Sequence, residues 1–118
     1  MAWKVTNRRH NLVVASHVEI AYRLWERMRG LLGRTSLPPG HGLWIDPCRS
    51  IHTFFMRFPI DAVFLGRNRE VLRVYRDLKP FRLTRCVAGA RAVLELPSGT
   101  LKEDLVQTGD LLTLEEAA

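Results

Sequence analysis

Ile51-His-Thr-Phe-Phe-Met-Arg-Phe-Pro-Ile-Asp-Ala-Val-Phe-Leu65 is the stretch whose reading decides the fold. It is rich in β-branched and aromatic residues, which suit a pleated, half-buried surface. Pro59 cannot donate to a sheet ladder, so it splits the stretch in two. The reading is a strand over Ile51–Phe58 and a second over Ile60–Leu65. Gly66-Arg-Asn-Arg69 then has the composition of a hairpin turn, leading into a strand over Glu70–Tyr75. Upstream, Gly42–Asp46 reads as a strand ended by Pro47, and downstream Arg91–Leu96 reads as another.

Farther from this centre the periods change. Trp3–Thr6 reads as a short first strand. Leu12 to Ile20 alternates, with Leu12, Val14, Val18 and Ile20 on one face, the period of a half-buried strand. Leu24, Trp25, Met28, Leu31 and Leu32 then recur at helical spacing, so a helix is expected over Tyr22–Leu32 with this stripe in the core. Gly33 stops it, and Pro38-Pro39-Gly40 opens a loop. Thr100 and Glu103 have capping-box spacing, which predicts a second helix over Thr100–Gln107. Gly109 ends that helix, and Asp110–Leu114 is the last expected strand. Several short strands with two helices make an α+β domain. The order does not fit a βαβ series, which excludes a doubly wound nucleotide fold.

The totals bound what this domain can do. A chain of 118 residues, 47% hydrophobic, is read as a single domain over residues 1–118 with one packed core. Charges stand near the start, where a signal peptide needs an apolar stretch. No run reaches the ~18 apolar residues of a membrane span, so the expectation is a soluble, cytoplasmic protein. Two cysteines, Cys48 and Cys86, are expected as free thiols in a reducing compartment. The net charge of +6 divides unevenly: residues 1–91 carry 17 basic and 6 acidic side chains, and residues 92–118 carry 1 and 6. A basic body suggests polyanions or an acidic partner. The 15 arginines form no single run, however, so nucleic-acid binding ranks behind a protein or small-molecule partner.

Five short segments occur in order along the chain. They are Arg29-Gly30-Leu31-Leu32-Gly33-Arg34; Gly42-Leu43-Trp44; Phe55-Met56-Arg57 with Pro59-Ile60-Asp61 and Phe64; Val93-Leu94-Glu95-Leu96 with Gly99; and Gly109-Asp110. Together they resemble the bacterial and archaeal family catalogued as domain of unknown function 192, from about residue 12 to 114. The resemblance implies an α+β fold with a small curved, barrel-like, mostly antiparallel sheet and two helices. It implies no activity. Many members of that family carry an export signal or lipid anchor, from which this chain departs.

The candidate functional residues gather around the central stretch. Asp61 stands among Phe58, Ile60, Val63 and Phe64, and a buried carboxylate there needs a partner such as Arg57 or the backbone. A structural tie at Pro59 is the simpler role, and an acid/base or ligand-anchoring group the sharper one. Glu95 lies opposite Leu94 and Leu96 in the alternation, which is explained most simply by a solvated face. If Asp61 and Glu95 share a cleft with His52 nearby, a small hydrolase-type enzyme is the alternative. Cys48 and His52, four residues apart, are weaker candidates for a nucleophile pair or, with Cys86, for a metal site. Gly30 costs helix stability, which points to close packing or to a ligand approaching the backbone. In a regular strand either Phe54 or Phe55 faces away from the core, beside Arg57, which suits a partner-binding patch or a sheet edge. No catalytic constellation is legible. The leading expectation is therefore a non-enzymatic binding or accessory module, with no cofactor, using a groove near Met56, Arg57 and Asp61, with Phe55 and Glu95 as further ligand- or partner-binding candidates.

Overall fold

A computed structural model describes residues 2–117. Its strands are β1 (Trp3–Asn7), β2 (Leu12–Ala21), β3 (His41–Ile45), β4 (Ile60–Leu65), β5 (Val71–Leu78), β6 (Ala92–Pro97) and β7 (Leu112–Glu116), with α1 (Leu24–Arg29) between β2 and β3. They form one mixed sheet in the order β5-β4-β6-β3-β2-β1-β7. Every neighbouring pair is antiparallel except β2 and β3. That pair is parallel because the chain between them crosses over through α1, as a parallel connection requires.

The sheet curls into a half-barrel whose two outer strands meet at one corner. There Gly109 N–H donates to Val71 O (2.8 Å), Val71 N–H to Asp110 O (2.8 Å) and Leu112 N–H to Arg69 O (3.1 Å). Asp110 fixes the same corner, accepting from Asn7 Nδ2 (2.8 Å), Arg9 Nε (2.9 Å) and Gln107 N–H (2.8 Å).

Alternation along the central strands sends side chains into two separate cores. Val63, Leu65, Leu94 and Leu96 join Val5, Val18, Val71 and Leu112 inside the curl. Ala62, Phe64, Leu43, Ile45 and Val93 face outward, yet are buried beneath Leu31, Leu37, Ile51 and Met56 from the connecting segments. All six residues of β4 are therefore buried. A strand covered on both faces reads as a nearly continuous apolar run, as Ile60–Leu65 does. Burying Phe64 alone contributes about 2–3 kcal/mol.

The expected strand Ile60–Leu65 is found with the same bounds, but three expectations are corrected. The helix is only Leu24–Arg29, because Gly30 turns to φ 52° and its N–H closes on Glu26 O (3.0 Å). Leu24, Trp25 and Met28 are 66%, 61% and 69% exposed, so the stripe is not core; Leu31, beyond the helix, is the buried member. Residues Ile51–Phe58 do not form a strand. They make one isolated bridge, His52 to Leu83, and then turn at Phe55, where φ is 64°. The segment Thr100–Gln107 is a series of turns with Glu103 at φ 55°, so the second helix is absent among the described residues. Its apolar residues Leu101 and Val106 still pack inside the curl. The architecture is thus a curled, mostly antiparallel sheet with one short helix, rather than α+β with two. No helix among the described residues is long and apolar enough to cross a membrane.

Candidate functional site

Glu95 sits mid-strand on β6, between Leu43 of β3 and Ala62 of β4, at the centre of the sheet. Alternation points it to the outer face with Val93, as the sequence suggested. That face is not solvated, because the connecting segments cover it, and Glu95 is 3% exposed. Its Oε1 has no hydrogen-bond partner. Gly30 backs onto this atom: a Cβ there would lie 3.8 Å from Oε1. Burial pushes the Glu95 carboxyl up to about 7, against a smaller downward pull from Arg34. Near neutral pH the group is divided between a protonated form that can donate and an ionised form that would hold a cation.

Glu95 lines a pocket of about 290 Å³ together with the α1 turn (Arg27, Met28, Gly30, Leu31), Ile45, and Cys48, Ile51, His52 and Met56 of the following loop. The walls are mainly apolar. Arg27 Nη1 donates to Pro47 O (3.1 Å), but its buried Nε, like Glu95 Oε1, has no partner. The pocket therefore offers two unsatisfied polar atoms of opposite charge within an apolar lining, the pattern of a small-ligand site.

The remaining candidates are placed differently. Asp61 pairs with Leu96 on the neighbouring strand and points to the opposite face from Glu95, so the two carboxylates share no cleft. Its two oxygens accept from Asp77 N–H (2.8 Å) and Leu101 N–H (2.9 Å), tying β5 and the turn after β6 to β4. Arg57 is exposed and makes no ion pair with Asp61. The Cys48 thiol donates to Ser50 O (3.1 Å), and burial pushes it up, so it stays protonated. His52 Nδ1 faces the Phe54 N–H (3.3 Å) rather than Cys48. Cys48 and Cys86 are free thiols, and no three His, Cys, Asp or Glu residues are grouped for a metal among the described residues. Met56, Glu95, His52 and Cys48 are thus brought together, whereas Arg57, Asp61 and the exposed Phe55 are not part of the pocket.

Sequence reasoning missed Arg27, Met28 and Leu31 as lining residues. The available signal was Gly30, whose cost in a helix hinted at close approach. Here the approach is to the Glu95 carboxyl.

The chain matches DUF192, described as "Uncharacterized ACR, COG1430", over residues 4–114. It is 32% identical to a UPF0127 protein of Thermococcus sibiricus across 92% of this chain and 73% of that protein. It is 36% identical to a UPF0127 protein of Pyrococcus horikoshii across 86% and 89%. A solved structure of a protein of unknown function from Novosphingobium aromaticivorans superposes with a TM-score of 0.81, at 23% identity, over 96% of this chain and 84% of that one. At that identity the likeness is one of fold. With the ordered motifs, the half-barrel and the match across nearly its whole length, the chain belongs to the uncharacterised DUF192 family.

Proposed function

We propose that this protein is a non-enzymatic binding module whose ligand enters the pocket between the α1 turn and Met56. The single observation that carries the reading is Glu95 Oε1, buried at the pocket and without a partner. A buried polar atom left unsatisfied costs about 1–3 kcal/mol, a cost a ligand can remove. The unpartnered Arg27 Nε adds the complementary demand. The ligand class is a small molecule with an apolar body and a head that donates to Glu95 and accepts from Arg27. Arg57 and Asp61 drop out of the groove. Binding is favoured over hydrolysis because the Cys48 thiol is protonated and bonded to Ser50, His52 is committed to Phe54, and Asp61 is on the other face.

Thermal unfolding with three six-carbon probes tests this. Hexanamide, which can both donate and accept, should raise the unfolding midpoint of the wild type most; hexylammonium, which cannot accept from Arg27, should raise it less, and hexanoate, which sets carboxylate against Glu95, should not. A probe at roughly a hundredfold above its dissociation constant adds about 2.7 kcal/mol. Met56→Arg, which fills the pocket, should abolish the shift. Equal shifts with all three probes, or shifts that survive Met56→Arg, would contradict the reading.

A further inference from the structure

Beside the pocket, to which they contribute Ile51, His52 and Met56, the segments 49–58 and 79–87 form a lobe with an unusual surface. They run antiparallel through the His52–Leu83 bridge and the bonds Thr53 N–H to Arg82 O (2.8 Å), Thr84 N–H to Ile51 O (2.9 Å) and Val87 N–H to Arg49 O (2.9 Å). Thr53 is buried and organises the end of the lobe. Its carbonyl accepts from Met56 and Phe81, and its hydroxyl donates to Lys79 O (2.6 Å). Beyond Thr53 the lobe presents Phe55 at 77% exposure, Leu83 at 69%, Phe81 at 57% and Phe54 at 38%. Phe55 and Phe81 both hold left-handed backbones, φ 64° and 63°. That conformation is a genuine outlier for a bulky side chain and persists only where the surroundings enforce it. Here it keeps two aromatic rings at the surface.

The charge around these rings is of one sign. No acidic residue occurs between Pro47 and Pro59 or between Lys79 and Arg91. Arg49, Arg57, Arg82 and Arg85 are exposed, and none is in an ion pair among the described residues. Aromatic and aliphatic side chains ringed by free cations match the boundary layer of an anionic bilayer. The rings and Leu83 enter the headgroup region while the guanidinium groups meet lipid phosphates. A nucleic acid would need open ring faces on which to stack bases. Some of these faces are already taken: His52 lies stacked on Phe54 at 5.4 Å, and Phe55 and Phe81 meet edge to face at 5.7 Å. Leu83 has no such face at all. We infer that this lobe docks the protein onto an anionic membrane surface.

Sedimentation with vesicles tests the inference. The full chain should bind vesicles of phosphatidylcholine containing one-third phosphatidylglycerol roughly tenfold more tightly than phosphatidylcholine alone, and high salt should remove the difference. Phe55→Asn/Phe81→Asn should lose roughly tenfold in binding while unfolding at the wild-type temperature, since Asn tolerates the left-handed backbone. Arg57→Ser/Arg82→Ser should lose the preference for phosphatidylglycerol. Glu95→Gln should bind vesicles as the wild type does, which separates this surface from the pocket. No wild-type binding, no preference for the anionic vesicles, or full binding by the Asn variant would overturn the inference. So would tighter binding to a single-stranded oligonucleotide or to polyglutamate with the same dependence on Phe55 and Phe81.

Discussion

Asp61 and Glu95 stand one step apart on adjacent strands: Asp61 pairs with Leu96, and Glu95 with Ala62. Both are carboxylates, exposed by only 1% and 3%. The pleat sends them to opposite faces and into different chemistry. On the Asp61 side, the backbone of β5 and of the turn after β6 offers two N–H donors, from Asp77 and Leu101. On the Glu95 side, the cover consists mainly of apolar side chains, with Gly30 against Oε1 and no donor to that atom. Burial alone therefore does not mark a functional carboxylate. The number of fixed donors around it separates one that holds the fold together from one the fold merely tolerates.

The most severe test of this contrast is Asp61→Ala. One buried and one part-buried N–H would lose a charged acceptor, at about 1.5–3 kcal/mol each, so a total loss of about 3–6 kcal/mol is expected in urea unfolding. Asp61→Asn, which keeps one acceptor, should fall between. If Asp61→Ala costs less than about 1 kcal/mol, the two carboxylates are not different in kind.

The same logic predicts the opposite sign at Glu95. In the unfolded chain this carboxyl titrates near 4.5, and in the folded protein near 7. Between those values the unfolded state has released a proton that the native state still holds, so stability falls as pH rises through this window and is level above it. The whole shift corresponds to about 3 kcal/mol. Glu95→Gln should remove the slope, leaving the variant more stable than the wild type at about pH 8 and no more stable at about pH 4. A wild-type stability that rises through this window would mean Glu95 finds a partner in the empty protein.

How much of this was legible in the sequence depends on where the covering atoms come from. Alternation gave the facing of Glu95, since it depends on the strand itself. It could not give the cover, because Leu31, Ile51 and Met56 arrive from irregular segments with no period to read. Ile60–Leu65 was recognised because Pro59 and Gly66 bound it and both its faces are apolar. Ile51–Phe58 has the same composition, but its backbone bonds go to the segment around Arg82 and Thr84, and Phe55 takes a conformation that no aromatic signals in advance. The false second helix failed for a related reason. Leu101 and Val106 both reach inside the curl, and they do so from a series of turns with Glu103 at φ 55° rather than from one helical face. Free arginines and exposed aromatics were visible as composition, whereas their meeting on one lobe was not.

The smallest predicted effect bears on the roof of the Glu95 side. Leu24, Trp25 and Met28 have helical spacing, and the sequence reading would bury them. In the structure they are exposed, and α1 is secured next to Glu95 by Leu31 instead. Leu31→Ala should therefore cost about 2–4 kcal/mol, as for a large buried side chain. Trp25→Ser should change stability by no more than about 0.5 kcal/mol in the same urea titration. Only the Leu31 variant should weaken the pH slope, because loosening the roof lets water reach Glu95. If Trp25→Ser proves as costly as Leu31→Ala, α1 packs through its stripe, the cover over Glu95 is built differently, and the contrast with Asp61 loses its physical basis.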